Sequence, residues 1–403
     1  MAVTAMPALS DHDSDGVDPD PGAATPFILS GPDETRVGVG VAALVAPTPA
    51  ERLNDAVAAF WASQTPGASA QLLVGALPFD RAAPAHLYAP RTVAHAWPAP
   101  ADAAWRAAPG NTSSAAEPPP AAYAEAVQSA LALLENDGVR GHANLLKVVL
   151  ARSLLVTAPV AIDTNAVLAR LARDPSVTTY ALPLPGAPSR TLIGASPELL
   201  VDKRGVDVRS APLAGSARRH ADKGADDASA AGLLDSPKDR REHGFVVEAI
   251  LDTLTPYCRS LKAPSSPSLV STASMWHLGT QIDGVLKDKD VSVIALATAL
   301  HPTPAVCGLP REAARQAIAT LEDLDRGFYA GAVGWADRNG DGRWMVAIRC
   351  AEFAGRTARL YAGAGIVPGS DPWSEVAETS AKFVALLSAL GIEEAGSAET
   401  AHT

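Results

Sequence analysis

The amino-acid sequence predicts an α+β fold in which many short strands alternate irregularly with helices. Apolar segments of strand length, such as 145–153 and 190–195, are rich in β-branched residues. Helical patterns separate them at uneven intervals, and no regular β–α repeat is evident. This order argues against a parallel, doubly wound sheet.

Composition and charge narrow the class of protein. Apolar residues make up 47% of 403 residues, enough for one large domain or two ordinary ones. The formal net charge of −11 disfavours nucleic-acid binding, which needs clustered Lys and Arg. The three cysteines lie far apart, without metal-ligand spacing or a disulfide framework. Without a signal peptide or an apolar run of membrane-spanning length, a cytoplasmic protein that does not enter the membrane is expected.

The chain is expected to form one folded domain between two flexible ends. Residues 1–25 carry five aspartates among Pro, Gly and Ala, which is typical of a disordered acidic leader. Residues 26–392 form the domain, with a variable N-terminal part at 26–120 and a core at 121–392. Residues 393–403 are predicted to be a flexible tail.

Hydrophobic periodicity gives the elements in order. Helices are predicted at 51–63, 123–135, 164–173 and 310–321, from Ser236 to before Pro256, and from an Asp371 N-cap onward. Strands are predicted at 35–45, 71–77, 145–153, 177–184, 190–195, 206–209, 276–282 and 359–361. A hairpin is expected from 328–336 and 344–353. Residues 99–122, 212–219, 220–235, 301–308 and the glycines after Tyr361 are expected to be linkers, loops or turns.

Several charged residues stand where apolar side chains are expected. Lys147 lies in a strongly apolar strand, and Glu198 lies at a kink between two apolar segments. A buried charge is costly unless it has a partner or a task. An edge-strand lysine reaching solvent is the alternative for Lys147. Arg349, if buried in its strand, would need a carboxylate partner from the protein or a ligand. His277 is either a catalytic candidate or a hydrogen-bonded core residue.

Two helix N-termini carry paired acidic residues. Glu375 and Glu378 lie one turn apart and share a face with Lys382, and Asp239 and Glu242 repeat the arrangement. Oxygen ligands of this kind suit Mg²⁺. A solvated charged surface is the alternative interpretation.

A set of separated motifs, in order, resembles the chorismate-utilising enzymes, and most closely their isochorismate-forming members. The resemblance covers roughly residues 120–390. It rests on Lys147, Ser196-Pro197-Glu198, Pro212 to Ser216, Lys238 to His243, His277-Leu278, His301 to Val306, Tyr329-Ala330-Gly331, Arg349 and Ala362 to Lys382.

The resemblance implies a fold, a reaction and residue roles. The fold would consist of mostly antiparallel sheets packed face to face, with helices outside. Chorismate would be converted to isochorismate, with Lys147 activating water and Glu198 protonating the leaving hydroxyl. The metal ligands for Mg²⁺ would be Glu242, Glu375 and Glu378, with Asp239 in or near that shell. The substrate would be held by Gly215, Ser216, His277, Ala305, Tyr329, Arg349, Gly363 and Lys382.

Other members of the family remain alternatives. Anthranilate-forming members usually have Gln at the position of Lys147. Aminodeoxychorismate-forming and salicylate-forming members keep the lysine and place Thr near the position of Ala305. Cys307 and Trp373 depart from the family pattern. A non-catalytic binding module with the same fold is the alternative from another class. The expected partner is chorismate alone and the expected state is a monomer, while the consuming pathway (siderophore, menaquinone or salicylate) stays open.

Overall fold

The computed structural model describes residues 25–64, 71–97, 112–136 and 145–392. The predicted tail, and all but the last residue of the predicted leader, lie outside these ranges. The helices are α1 Ala50–Ser63, α2 Pro120–Asn136, α3 Thr164–Leu171, α4 Lys223–Asp235, α5 Pro237–Leu254, α6 Val293–Leu300, α7 Arg311–Leu321 and α8 Pro372–Leu390. The first strands are β1 Phe27–Ser30, β2 Thr35–Val39, β3 Ala43–Leu44, β4 Leu72–Leu77, β5 His86–Ala89, β6 Thr92–Ala94, β7 Ser113–Glu117, β8 Lys147–Thr157, β9 Thr178–Leu184, β10 Arg190–Ser196 and β11 Leu199–Arg204. The others are β12 Asp207–Ala211, β13 Leu213–Arg218, β14 Cys258–Lys262, β15 Ser268–Ser271, β16 Met275–Gly279, β17 Ile282–Leu286, β18 Gly308–Leu309, β19 Ala332–Asp337, β20 Gly342–Val346, β21 Cys350–Ala354 and β22 Thr357–Ile366.

Two large sheets and one small sheet contain these strands. The first runs in the order β18-β8-β22-β21-β10-β9-β1-β2-β6, with β7 also paired to β8. The second runs β14-β17-β12-β11-β20-β19-β4-β5-β3, and the third β13-β16-β15. Neighbouring strands pair antiparallel, as between β8 and β22, where Val149 lies opposite Gly365. The α+β prediction is therefore confirmed.

The core explains why the central strands are apolar on both faces. Leu192 of β10 packs in a core shared with second-sheet residues such as Val201 and Trp344. Its neighbour Ile193 points the other way, into a core that contains Leu386 of α8. The first sheet therefore has the second sheet on one face and α3 and α8 on the other. Burying each such aliphatic side chain stabilises the fold by about 1.5–3 kcal/mol.

The two acidic helices begin as their sequences predict. The Asp371 side chain accepts a hydrogen bond from the Ser374 N–H at 2.8 Å, and Pro372 follows it as the first residue of α8. The Ser236 hydroxyl oxygen likewise accepts from the Asp239 N–H at 3.2 Å, ahead of α5. These caps fix where the acidic side chains of each first turn project.

Several predicted loops are regular structure. Residues 220–235 contain α4, and residues 212–219 contain β13. Part of the predicted linker at 99–122 forms β7, and α2 begins at Pro120. The glycines after Tyr361 continue β22 as a strand, because its partner β8 supplies hydrogen bonds along its whole length.

Two predicted strands are each divided between sheets. Residues 35–45 split into β2 and β3, with a positive φ of 65° at Gly40 between them. Only the first part of the predicted strand at 344–353 belongs to the hairpin, as β20 of the second sheet. The chain then crosses to β21 in the first sheet, and Arg349 lies at this crossing. In the described ranges, no helix has the length and apolar character needed to cross a membrane.

All three cysteines are buried and free. Burial raises the pKa of the Cys307 thiol to about 11, which keeps it protonated near neutral pH. Cys307 is therefore a packing residue in the loop before β18.

Candidate active site

A cleft between β8, β22, α5 and α8 collects most of the residues singled out from the sequence. Its lining includes Glu198, Gly215, Ser216, Glu242, His277, Ala305, Tyr329, Arg349, Gly363, Glu378 and Lys382. They come from strands of the first and third sheets, from α5 and α8, and from the connections between strands, so distant parts of the chain are needed to assemble them. Lys147, Asp239 and Glu375 lie outside this lining.

Lys147 lies directly behind the cleft wall. It is fully buried, and its Nζ is 2.9 Å from Oε1 of Glu242, which does line the cleft. β18 pairs with β8 at this residue, so Lys147 does not lie on an edge strand. The edge-strand alternative is therefore wrong.

Three of the four acidic side chains at the helix starts are each paired with a lysine. Besides the Lys147–Glu242 pair, Nζ of Lys238 lies 2.7 Å from Oε1 of Glu375. Nζ of Lys382 lies 2.5 Å from Oε1 of Glu378, which also accepts a hydrogen bond from the Ser216 hydroxyl at 2.9 Å. The pairing gives three buried or half-buried carboxylates three positive neighbours.

The electrostatics of the α8 carboxylates differ. Burial, and then repulsion from Glu378, raise the pKa of Glu375 to about 7, although Lys238 opposes the shift. For Glu378 burial acts in the same direction, but Lys382, Lys238 and the Ser216 hydrogen bond together outweigh it and hold the pKa of Glu378 below its usual value. Burial also raises the pKa of Asp239.

Glu198 has the properties of a proton donor. It is 2% exposed, and burial raises its pKa to about 8, against the opposing effects of a backbone hydrogen bond from Leu213 and the charge of Lys147. Its backbone N–H donates to the Ser196 hydroxyl oxygen at 3.2 Å, which holds the kink after β10. At neutral pH this carboxyl is predominantly protonated.

An arginine and a neutral histidine form another part of the lining. Burial and the charge of Arg349 hold the pKa of His277 well below its usual value, so its ring nitrogen can accept. Nη2 of Arg349 lies 3.2 Å from Nε2 of His277. Arg349 has a φ of 52°, a strained backbone for a residue with a Cβ. Backbone strain of this kind is common at residues whose side chains are held in a functional site.

Two glycines of β22 let other groups approach the strand closely. A Cβ at Gly363 would lie 2.8 Å from the Tyr329 hydroxyl oxygen, and one at Gly365 would lie 2.1 Å from Oε1 of Glu242. The Gly363 carbonyl accepts a hydrogen bond from Lys382 at 2.9 Å. Both positions therefore require a residue without a side chain.

The sequence predicts no role for two residues at this site. Tyr361 stacks on Tyr329 with ring centroids 4.9 Å apart and planes 9° apart. Lys238 is the other. The only sequence signal for Tyr361 is its position before the glycines, whereas Lys238 belongs to the motif from Lys238 to His243.

A buried arginine holds α8 against the strand that carries Lys147. Arg152 of β8 donates to the Val376 carbonyl at 3.1 Å, to Oγ1 of Thr379 at 2.9 Å and to Oγ of Ser380 at 2.7 Å. These contacts span residues 376–380 of α8, the turn that contains Glu378. Arg152 therefore couples the position of the acidic face to β8.

Comparison with known proteins identifies the family. Residues 92–391 match the family model described as chorismate binding enzyme. The chain is 43% identical to isochorismate synthase DhbC of Bacillus subtilis (strain 168), over 93% of this chain and 94% of that protein. It is 39% identical to the vibriobactin-specific isochorismate synthase of Vibrio cholerae, over 92% of each. The crystal structure of DhbC from Bacillus anthracis superposes with a TM-score of 0.84 at 41% identity, covering 91% of this chain and 96% of that one. The chain therefore belongs to the family of chorismate-binding enzymes.

Proposed function

We propose that this protein is an isochorismate synthase, an isomerase that converts chorismate to isochorismate. The observation that carries the proposal is a protonated carboxyl in the lining of one cleft with a buried lysine directly behind that lining. Glu198 lines the cleft with a raised pKa, and Lys147 lies immediately behind Glu242. The similarity to relatives named isochorismate synthases supports the same reaction.

The reaction needs a base and an acid at different ring carbons. Lys147, in its neutral form, takes a proton from water as the oxygen bonds to C2, and the ring double bonds shift. Glu198 protonates the C4 hydroxyl as the C4–O bond breaks, which releases water. One water enters and one leaves, so isomerisation involves no net oxidation or reduction.

The substrate carboxylates are proposed to be held at two places. Arg349, Tyr329 and the backbone at Gly363 would bind the enolpyruvyl carboxylate. Gly215, Ser216, His277, Ala305 and Lys382 would line the rest of the pocket. The ring carboxylate would face the acidic helix starts.

Glu242, Glu375 and Glu378 are proposed to hold Mg²⁺, with Asp239 nearby. The donor set fits, because Mg²⁺ prefers carboxylate oxygens and would relieve the repulsion between Glu375 and Glu378. Among the described residues, no three acidic, histidine or cysteine side chains are already gathered around one point. Bound there, the cation would neutralise the ring carboxylate of chorismate.

Ala305 favours isochorismate over salicylate as the final product. Its methyl group lines the cleft where salicylate-forming members place a threonine hydroxyl. Without that hydroxyl, elimination of the enolpyruvyl group is not expected to follow. Lys147 likewise disfavours anthranilate formation.

Incubation with chorismate, Mg²⁺ and ammonium should yield isochorismate as the main product. Chromatography with mass detection distinguishes it from anthranilate and salicylate. The Lys147→Ala protein, prepared identically, controls for spontaneous conversion and contaminating enzymes. Anthranilate or salicylate as the main product would contradict the proposal.

Gly363→Ala is expected to raise the KM for chorismate by about tenfold or more, because the new methyl group would crowd the Tyr329 hydroxyl. Steady-state kinetics measures the change. Gly232→Ala is the matched control, since a Cβ at Gly232 meets nothing within 4 Å. An unchanged KM for Gly363→Ala would remove Gly363 from the substrate contacts.

A further inference from the structure

We propose that Lys238 is a resident counter-ion for Glu375, which the divalent cation displaces on binding, and that it thereby sets metal affinity. The proposal rests on the metal site proposed above. It adds to that site a cationic side chain that competes with the metal and does not coordinate it.

The first support is the contact itself. Lys238 of α5 reaches across to α8 and lies 2.7 Å from Oε1 of Glu375, a side chain that is 1% exposed. A carboxylate so buried needs a positive neighbour to stay ionised. Without a divalent cation, Lys238 provides that charge. The ammonium group of Lys238 lies against the same carboxylate oxygen of Glu375 that would have to coordinate the metal.

The second support is that Lys238 differs from the other two paired lysines in its freedom to leave. The Lys147 side chain is fully buried, and Lys382 is also hydrogen-bonded to the Gly363 carbonyl. The Lys238 side chain is 30% exposed, so its long stem can carry the ammonium into water. Of the three pairs, Lys238–Glu375 is therefore the one that opens at least cost.

The third support is an alternative partner for the released ammonium. Asp371, the exposed N-cap of α8, lies close enough for the charge of Lys238 to act on it. Asp371 therefore offers the released ammonium an exposed negative charge in its vicinity. The release leaves Glu375 free to face the cation.

The test is Mg²⁺ binding to substrate-free protein by calorimetry. Lys238→Met keeps the length of the side chain and removes its charge, so Mg²⁺ should bind at least about tenfold more tightly. Lys238→Arg keeps the charge and should bind near the unmodified affinity. Lys223→Met is the matched control, because Lys223 forms an equally short ion pair with Asp227, outside the metal set.

A measurement on the unmodified protein covers the case in which Lys238→Met does not fold. Acetylation of individual lysines, followed by peptide mass spectrometry, should be several-fold faster at Lys238 with saturating Mg²⁺ than without it. The acetylation rate of Lys223 should not change.

The outcomes separate this inference from the metal site. The counter-ion role alone is overturned if Lys238→Met binds Mg²⁺ with unchanged or weaker affinity. It is also overturned if the acetylation rate at Lys238 does not change with Mg²⁺. Failure of the unmodified protein to bind Mg²⁺ overturns the metal site and this role together.

Discussion

Replacing Lys147 by alanine is expected to lower kcat for isochorismate formation by roughly 10²- to 10⁴-fold, the usual contribution of a general base. Chorismate should still bind, because its proposed carboxylate contacts come from Arg349, Tyr329 and the acidic helix starts. Calorimetric binding and turnover, measured on the same preparation, separate the two effects.

The control for this substitution is another buried lysine outside the cleft. Lys203 of β11 is 1% exposed and pairs with Asp341 at 2.7 Å. Lys203→Ala should therefore lower thermal stability with little effect on kcat per folded molecule. Near-normal turnover by Lys147→Ala would instead make Lys147 a structural partner of Glu242.

Replacing Glu198 by glutamine is expected to produce a loss of similar size, roughly 10²- to 10⁴-fold in kcat. The amide keeps the shape of the carboxyl but cannot protonate the leaving hydroxyl. In the unmodified enzyme the pKa of Glu198 is raised to about 8. The acid is therefore active below that pH, and kcat should fall as pH rises through about 8.

The pH profile distinguishes a proton donor from a packing residue. Residual turnover by Glu198→Gln should lack the fall near pH 8, whereas Glu352→Gln should retain it. Glu352 is a suitable control, because it is also partly buried, with a raised pKa, but pairs with Arg190 instead of lining the cleft. Because neighbouring groups titrate together, the fitted value describes the coupled site. An unchanged profile in Glu198→Gln would exclude Glu198 as the acid.

The parts of the site that sequence predicts are those with a local chemical signature. A lysine in an apolar strand and a glutamate at a strand kink are conspicuous because burial penalises both. The caps at Ser236 and Asp371 likewise follow from short-range hydrogen bonding. The strongly periodic helices and the apolar strands were predicted because their patterns are also local in the sequence.

The rest could not be predicted, because it depends on partners distant in the chain. Lys238 and Glu375 are 137 positions apart, so their ion pair leaves no local pattern. The strand β22 contains two glycines that suggest a turn, but its pairing with β8 overrides that local preference. Helix α4 is rich in small and polar residues and has only a weakly apolar face, so its sequence resembles that of a loop.

The pairing of three lysines with three carboxylates also has a thermodynamic consequence. With each pair ionised, the resting set of charges sums to zero, and a magnesium ion and a chorismate dianion together would add zero again. The ion alone would leave the cleft positively charged even after Lys238 has moved into water, and chorismate alone would leave two negative charges uncompensated, which is costly. In the proposed complex, metal and substrate therefore bind with positive heterotropic cooperativity, and each strengthens the binding of the other by the same factor. Such linkage would leave few enzyme molecules holding substrate without the ion that the reaction requires.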